Sequence, residues 1–402
     1  MTAPIMLKFK SFSIQNFKSI NQIHIDFDDL TCIVGMNGAG KSTILQALDF
    51  TSQLMAGRMD VWLDQRGWDA KQLINQNLKP KSSFIKVAVN FEWIPDDIDL
   101  LHTIQIKWVA VFDIRQLKCV QESIFSGGGR EIFHSSEGEL GDICSGGTFI
   151  DILWDYTGSV LSSMADSWFE DRWLLAKIRE ILLGISSLEL LSPVVLKKSS
   201  RATVNRIGMS GENLPSFIHS LNKEQQEELT QSLRVFYPHL SKITTKKKVG
   251  GWVQLEFEET FKGQKTVSES IHINDGLLRI LAVLAQQKNS FPTLLLLDEI
   301  ENGVNQEIMG KLVKFLSAGQ TQVVITTHSP LLLNYLTDEQ ARRDVYFAYR
   351  TETGSLNIRK FFDVIDEPKM LDFAGPGEVY ANTNLNSLAD KCRALDNNQP
   401  KE

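Results

Sequence analysis

The sequence is poor in cysteine, with four residues (Cys32, Cys119, Cys144 and Cys392) scattered along it and no CxxC pair. That spacing argues against a zinc site and a disulfide framework, and for a reducing compartment. No apolar run approaches the roughly 20 residues that a bilayer-spanning helix needs. The opening stretch, MTAPIMLKFKSF, lacks the long apolar core of a signal peptide. A cytoplasmic chain with no membrane partner is therefore expected. No heptad pattern is sustained, so long coiled-coil arms are not expected either. An excess of positive charge is also missing. Lys and Arg number 42 against 49 Asp and Glu, a net −7, so the molecule as a whole is not a basic nucleic-acid binder. With 43% hydrophobic residues the chain has the apolar material for a substantial core.

Alternating apolar residues predict strands over 12–17, 23–27 and 30–34, then a glycine-rich turn and a helix over 42–54. From Phe84 to Phe133 several β-rich runs separated by turn residues suggest a meander, with glycine-rich loops at 126–130 and 145–147. Residues 160–184 and 223–237 look helical, with Leu174, Ile178, Ile181 and Leu182 on one face and a short strand-like LELLS at 188–192 between them. After Lys246 the pattern alternates strand and helix through Arg359, which implies a largely parallel sheet. The last thirty or so residues are polar and expected to be loosely packed.

The strongest local signal is GMNGAGKS, from Gly35 to Ser42, a complete G-x-x-x-x-G-K-S between an apolar strand and a helix. Glycines let successive backbone N–H groups curl inward toward phosphate oxygens, and the following helix adds its positive end. Asn37, Gly38, Ala39, Gly40, Lys41, Ser42 and Thr43 form the expected cradle. Lys41 would supply a point charge to the β- and γ-phosphates of ATP, and Ser42 a hydroxyl to Mg²⁺. The plain alternative is a structural turn.

A second signal is Thr293 to Glu299, an all-leucine strand ending in two acids. In an open α/β sheet, ligands sit at the carboxyl ends of strands. Asp298 suits Mg²⁺ held through water, and Glu299 suits a group that accepts a proton from an attacking water or orients it. A helix cap or a solvated acidic pair is the alternative. A third strand, 322–326, leads into Thr327-His328-Ser329-Pro330, where His328 could hydrogen-bond a γ-phosphate. Otherwise it is an ordinary loop histidine.

NFKS (16–19), GMNGAGKS, NDGLLR (274–279), LLLLDEIENGV (294–304) and TTHSP (326–330) occur in an order that resembles the stand-alone ABC-type ATPases related to SMC, RecF and OLD proteins. The resemblance covers roughly 1–130 and 245–365, and the middle only loosely, through GENLPSFIHSL (211–221). It implies an α/β fold of the ABC-type phosphate-loop (P-loop) ATPases, with a mixed N-terminal β meander, a mostly parallel core sheet and a helical insertion lobe. The expected division is 1–155 and 246–365 for the two parts of the ATPase domain, 156–245 for the lobe and 366–402 for a polar tail.

By the same resemblance, Asn274-Asp275-Gly276 stands for the signature segment, usually Ser-Asp-Gly, whose helix caps the γ-phosphate held by a second subunit. Asn, like Ser, is a good N-cap. Self-association, at least to a dimer through this segment, is therefore implied, and Glu301 to Val304 matches the stretch that crosses between subunits. Ile300 departs from the common proline. The glutamine that usually senses Mg²⁺ has no clear counterpart; Gln72 and Gln76 are candidates whose simpler reading is surface glutamine.

OLD nucleases of this class carry a Toprim nuclease domain after the ATPase, and too few residues follow His328 for one. The acids there, Asp363, Asp366 and Glu367, lack its arrangement. The expectation is an ATP-dependent motor or sensor that controls a separately encoded effector, a nuclease or toxin, as in the bacterial anti-phage systems such ATPases resemble. The alternatives are a RecF-like DNA-repair ATPase and a nucleotide-binding scaffold with little turnover. Two basic clusters, Lys197, Lys198, Arg201 and Arg206, and Lys242, Lys246, Lys247 and Lys248, could contact a DNA backbone if they share one surface. Solvated faces are the plainer reading.

Overall fold

Alternating residues up to Asp151 build the antiparallel side of a large sheet. The computed structural model describes residues 6–78, 81–94, 103–136, 138–142, 148–152, 154–189, 191–201, 206–288, 293–319, 321–366, 370–371 and 373–397. Strands β1 (Met6–Phe17), β2 (Ile20–Asp26) and β3 (Leu30–Gly35) precede helices α1 (Lys41–Ala56) and α2 (Met59–Arg66). The expected meander follows as β4 (Phe84–Ile94), β5 (Ile104–Asp113), β6 (Lys118–Ser126), β7 (Arg130–Ser136), β8 (Glu139–Asp142) and β9 (Thr148–Asp151), each pairing antiparallel with the next. The glycine loop at 145–147 and Cys144 lie outside the described residues.

The middle of the chain departs from the expected helices. Only α3 (Trp173–Leu183) is α-helical within 160–184. Ahead of it, serines take over the backbone: Ser159 caps Leu161 N–H and Ser163 donates to the Val160 carbonyl, so two short 3₁₀ turns form instead. The inward stripe of α3 is Leu175, Ile178, Ile181 and Leu182, with Leu174 half-buried. The strand expected at 188–192 lies earlier, as β10 (Ile185–Ser187), and joins the main sheet. Two residues after it, Glu189 pairs with Arg66. Helices α4 (Pro193–Leu196), α5 (Leu214–Ser220) and α6 (Lys223–Arg234) complete this region.

Residues 240–269 form a separate three-stranded antiparallel sheet, β11 (Leu240–Lys247), β12 (Val253–Phe261) and β13 (Gln264–Glu269), where a parallel alternation was expected to begin. Helix α7 (Asp275–Gln287) leads to β14 (Leu294–Leu297), α8 (Gln306–Ser317), β15 (Gln322–Thr326), α9 (Pro330–Leu333), α10 (Asp338–Asp344), β16 (Val345–Arg350) and β17 (Leu356–Lys360). The main sheet runs β10-β14-β15-β3-β16-β17-β2-β1-β4-β5-β6-β7-β8-β9. From β10 to β16 every pairing is parallel. The fold is thus α/β with a parallel core and an antiparallel wing.

A separate core lies on each face of the parallel part. Ile33, Leu294 and Leu296 face α1, α2 and α3, whereas Cys32, Val34, Leu295 and Leu297 face α7 and α8. Burial on both faces is why β14 is all leucine; each such side chain contributes about 1.5–3 kcal/mol. The chain's end also corrects an expectation. After α11 (Phe361–Val364), it forms α12 (Pro376–Asn382) and α13 (Leu385–Asn397). Leu388, Ala389 and Cys392 form one buried face, and Asp396 accepts from Tyr349 Oη at 2.9 Å and Arg359 Nη2 at 2.7 Å. Polar composition hid this narrow apolar face. Cys32, Cys119 and Cys392 are free and buried. Among the described residues, no helix is long and apolar enough to cross a membrane.

Candidate functional site

The loop between β3 and α1 is shaped by three glycines in the region that favours glycine, with Gly35 at φ 147°, Gly38 at 75° and Gly40 at 106°. At Gly35 a side chain would be excluded, since a Cβ would lie 2.4 Å from the Ala348 carbonyl oxygen. Asn37 and Gly38 are exposed, and Ala39 is buried with its N–H on the Met36 carbonyl at 3.2 Å. Thr43 N–H closes back on Gly40 at 2.9 Å. Gly40 starts α1 without any side-chain cap, and no acid lies in the first turn. The start of this 16-residue helix therefore has no side-chain acceptor of its own, an arrangement that suits an anion.

Lys41 folds back over this loop. Its Nζ donates to the Gly35 carbonyl at 3.1 Å and the Met36 carbonyl at 3.3 Å, and lies 2.6 Å from His328 Nε2. Burial lowers the Lys41 pKa, against the pull of Glu299 and Asp298. Burial, then Lys41, lowers that of His328, against the pull of Glu299, Glu301 and Asp298. Sequence separation here is 287 residues, bridged because β15 and β3 are parallel neighbours.

The acids converge on the same edge. Ser42 Oγ donates to Asp298 Oδ2 at 2.8 Å, and Thr326 Oγ1 donates to Asp298 Oδ1. Thr326 Oγ1 in turn accepts the Glu299 N–H at 3.0 Å. Glu299 has φ 44°, a conformation costly for a side chain with a Cβ, which turns the backbone sharply out of β14. Its Oε2 accepts from Asn302 Nδ2 at 2.6 Å, and its Oε1 stands 3.7 Å from His328 Nε2. Glu301 Oε1 accepts the His328 N–H at 2.7 Å. Ser42 and Asp298 together offer one hydroxyl and one carboxylate, a donor set that suits Mg²⁺, which keeps water and phosphate oxygens as its other ligands. Among the described residues, no group of three or more His, Cys, Asp or Glu could hold a metal by itself.

Asn274 caps α7, its Oδ1 accepting Leu277 N–H at 2.7 Å. Asp275 pairs with Lys197 at 2.7 Å. Gly276 is buried, and a Cβ there would lie 2.3 Å from the Gly303 carbonyl, so α7 rests on the 301–304 segment of its own chain. The structure thus joins Lys41, Ser42, Asp298, Glu299 and His328 by direct or near contact. Asn274 to Gly276 make no hydrogen bond to them among the described residues and adjoin them through that segment. Gln72 and Gln76 are exposed and locally engaged: Gln72 completes a capping box with Asp69, and Gln76 donates to the Lys71 and Ile74 carbonyls.

Several residues at the site gave no signal in sequence. Arg350, ending β16, donates to the Gly38 carbonyl at 3.1 Å. Glu189 follows β10, whose register with β14 sets it beside Asp298. Burial raises its carboxyl above the ordinary range despite Arg66, with Asp49 and Asp298 adding to the rise. Arg66 joins Glu189 to Asp49 on α1, at 2.7 Å from the latter, and all three side chains are buried.

Comparison with known proteins adds the following. A family model described as AAA ATPase domain matches residues 7–275. A second, whose description begins with AAA domain and ends with type IV TA system, matches residues 217–334. An OLD nuclease from Thermus scotoductus is 41% identical over 84 residues, which cover 21% of this chain and 14% of that protein. Three solved structures are 13–14% identical. The Smc head bound to the C-winged helix domain of ScpA covers 88% of this chain and 97% of its own, with a TM-score of 0.49. The SMC head domain from Thermotoga maritima covers 88% and 98%, with a TM-score of 0.44. An Smc head with an extended coiled coil, bound to the C-terminal domain of ScpA from Pyrococcus furiosus, covers 88% and 96%, with a TM-score of 0.46.

Proposed function

This chain belongs to the AAA ATPase domain family, and from that premise we propose that its ATP hydrolysis occurs at sites shared between subunits and controls a separately encoded effector in an anti-phage system. The observation that carries the site is the convergence of Lys41, Ser42, Asp298, Glu299 and His328 at one sheet edge. On this reading the N–H groups from Asn37 to Thr43 bind the phosphates. Lys41 exchanges its two loop carbonyls for β- and γ-phosphate oxygens. Ser42 and Asp298 hold Mg²⁺, which when bound neutralises phosphate charge.

Glu299 accepts the proton of the attacking water as the bond from the γ-phosphorus to the leaving oxygen breaks, and Asn302 fixes the carboxylate. His328, released by Lys41, bonds a γ-phosphate oxygen. The helix end at Asn274 to Gly276 meets the partner's γ-phosphate, and its seat on Gly303 passes that contact to Asn302 and Glu299. Association with a toxin or nuclease activity is supported by the second family description, which ends with type IV TA system, and by the name of the nuclease relative.

The test is phage challenge of cells carrying this chain with its neighbouring gene. Plating efficiency should drop by orders of magnitude, and Lys41→Ala or loss of the neighbour should restore it. Protection that survives Lys41→Ala, or that this chain gives alone, contradicts the reading.

A further inference from the structure

The two basic clusters that ATP chemistry leaves unused meet in the fold. Ser200 and Val253 form an antiparallel bridge, with N–H to carbonyl distances of 3.0 and 2.7 Å. This fastens the 197–201 segment to the turn between β11 and β12. Arg201 consequently lies beside Gly251, where a Cβ would sit 3.7 Å from its Nε. The turn itself is closed by Lys248 N–H on the Trp252 carbonyl at 2.7 Å, with Gly250 and Gly251 both at φ 81°.

Not every cation of the clusters is free. Lys197 is paired with Asp275 and Lys246 with Glu256 at 3.6 Å, while Arg206 donates to the Leu183 carbonyl. Lys198, Arg201, Lys242, Lys247 and Lys248 remain, all exposed and, among the described residues, paired with no carboxylate; Lys242 lies back along β11, opposite Glu258 in register, and the other four belong to the turn and the segment fastened to it. At the same turn Val249 is 98% exposed and Trp252 46%.

Four unpaired cations gathered on a protein of net charge −7 favour a polyanion. An indole held out in water beside them adds a flat face on which any base can stack. A duplex, whose bases are already stacked, has little use for that face. An anionic bilayer needs a broader apolar face than one valine and part of one tryptophan.

We propose that the β11–β12 turn, with Lys198 and Arg201, is a binding site for single-stranded nucleic acid. Its phosphates lie against the four cations, and a base stacks on Trp252. None of its residues is among those that converge at the ATP-binding edge, so it holds whether or not the shared-site reading does. The Lys197–Asp275 pair, and Ser270 Oγ donating to the Lys197 carbonyl at 2.9 Å, tie its base to the start of α7.

The test is fluorescence anisotropy of a labelled oligothymidylate of about 20 nucleotides with the full chain, without ATP, over a salt series. Four phosphate contacts predict a slope of log affinity against log salt of roughly −3. The double variant Lys247→Glu, Lys248→Glu should weaken binding at least tenfold and take the slope to about half. Trp252→Ala should weaken it about 5- to 150-fold and Trp252→Phe far less. All three variants should hydrolyse ATP at the wild-type rate, which shows that they fold and separates this site from the ATPase centre. The proposal is overturned by absence of binding, or by a Lys247→Glu, Lys248→Glu double variant or a Trp252→Ala variant that binds like wild type. Preference for phosphatidylserine vesicles, or duplex binding indifferent to Trp252, overturns it equally.

Discussion

Glu299→Gln is expected to lower ATP turnover by about 10²- to 10⁴-fold, the range a positioned general base supplies. The amide keeps the shape of the side chain and can still accept from Asn302, so the turn out of β14 should persist. What it cannot do is take a proton. Glu299 is not bonded to Lys41, and its charge stands on the same edge as Asp298, so removing it should leave ATP affinity unchanged or tighter, by relief of like-charge repulsion. Calorimetry against steady-state turnover separates the two effects. A variant that hydrolyses at the wild-type rate would assign the proton to another residue.

Lys41→Ala is expected to weaken ATP binding by roughly 10²- to 10⁴-fold, from the loss of two charged hydrogen bonds worth about 1.5–3 kcal/mol each. In the free chain the same ammonium satisfies the Gly35 and Met36 carbonyls, so the variant also loses local order. Lys41→Met, which keeps the buried stem without the charge, distinguishes that loss from loss of the phosphate contact. Near-normal affinity in a folded Lys41→Met protein would mean that the loop holds ATP by its N–H groups alone.

The legibility of this site in sequence follows the distance between its parts. Gly35 to Ser42 are consecutive, so glycine spacing, lysine and helix start could be read together. Asp298 and Glu299 stood out because a strand buried on both faces must be apolar throughout, and β14 is. Glu189, Arg66 and Asp49 were invisible, since a buried ion cluster assembled from three elements leaves no local pattern. Arg350 reaches Gly38 across 312 residues for the same reason. The β11–β13 sheet was missed because its short strands carry as many charges as apolar residues. Helices α12 and α13 were missed because few apolar residues, correctly spaced, suffice to pack a terminal helix. Gly276, which the resemblance sets at a partner's phosphate, carries a second constraint that spacing does not show: a Cβ there would lie 2.3 Å from the Gly303 carbonyl oxygen.

That contact decides how the shared site is best tested. Any side chain at Gly276 would push the 301–304 segment of its own chain, so the probe belongs at Asn274, which is exposed. Asp caps a helix as well as Asn does, so Asn274→Asp keeps α7 while setting a carboxylate where a partner's phosphate would arrive. Alone it should bind ATP and not turn over; Lys41→Met alone should do neither. In a mixed pair, one subunit's Lys41 meets the other's Asn274, and one complete site is restored. Steady-state ATPase activity of the two variants mixed, with mixed assembly verified, is therefore the most direct measurement. Activity that returns in the mixture and is absent from each variant is the predicted result; a mixture as inactive as its components contradicts a site shared between subunits.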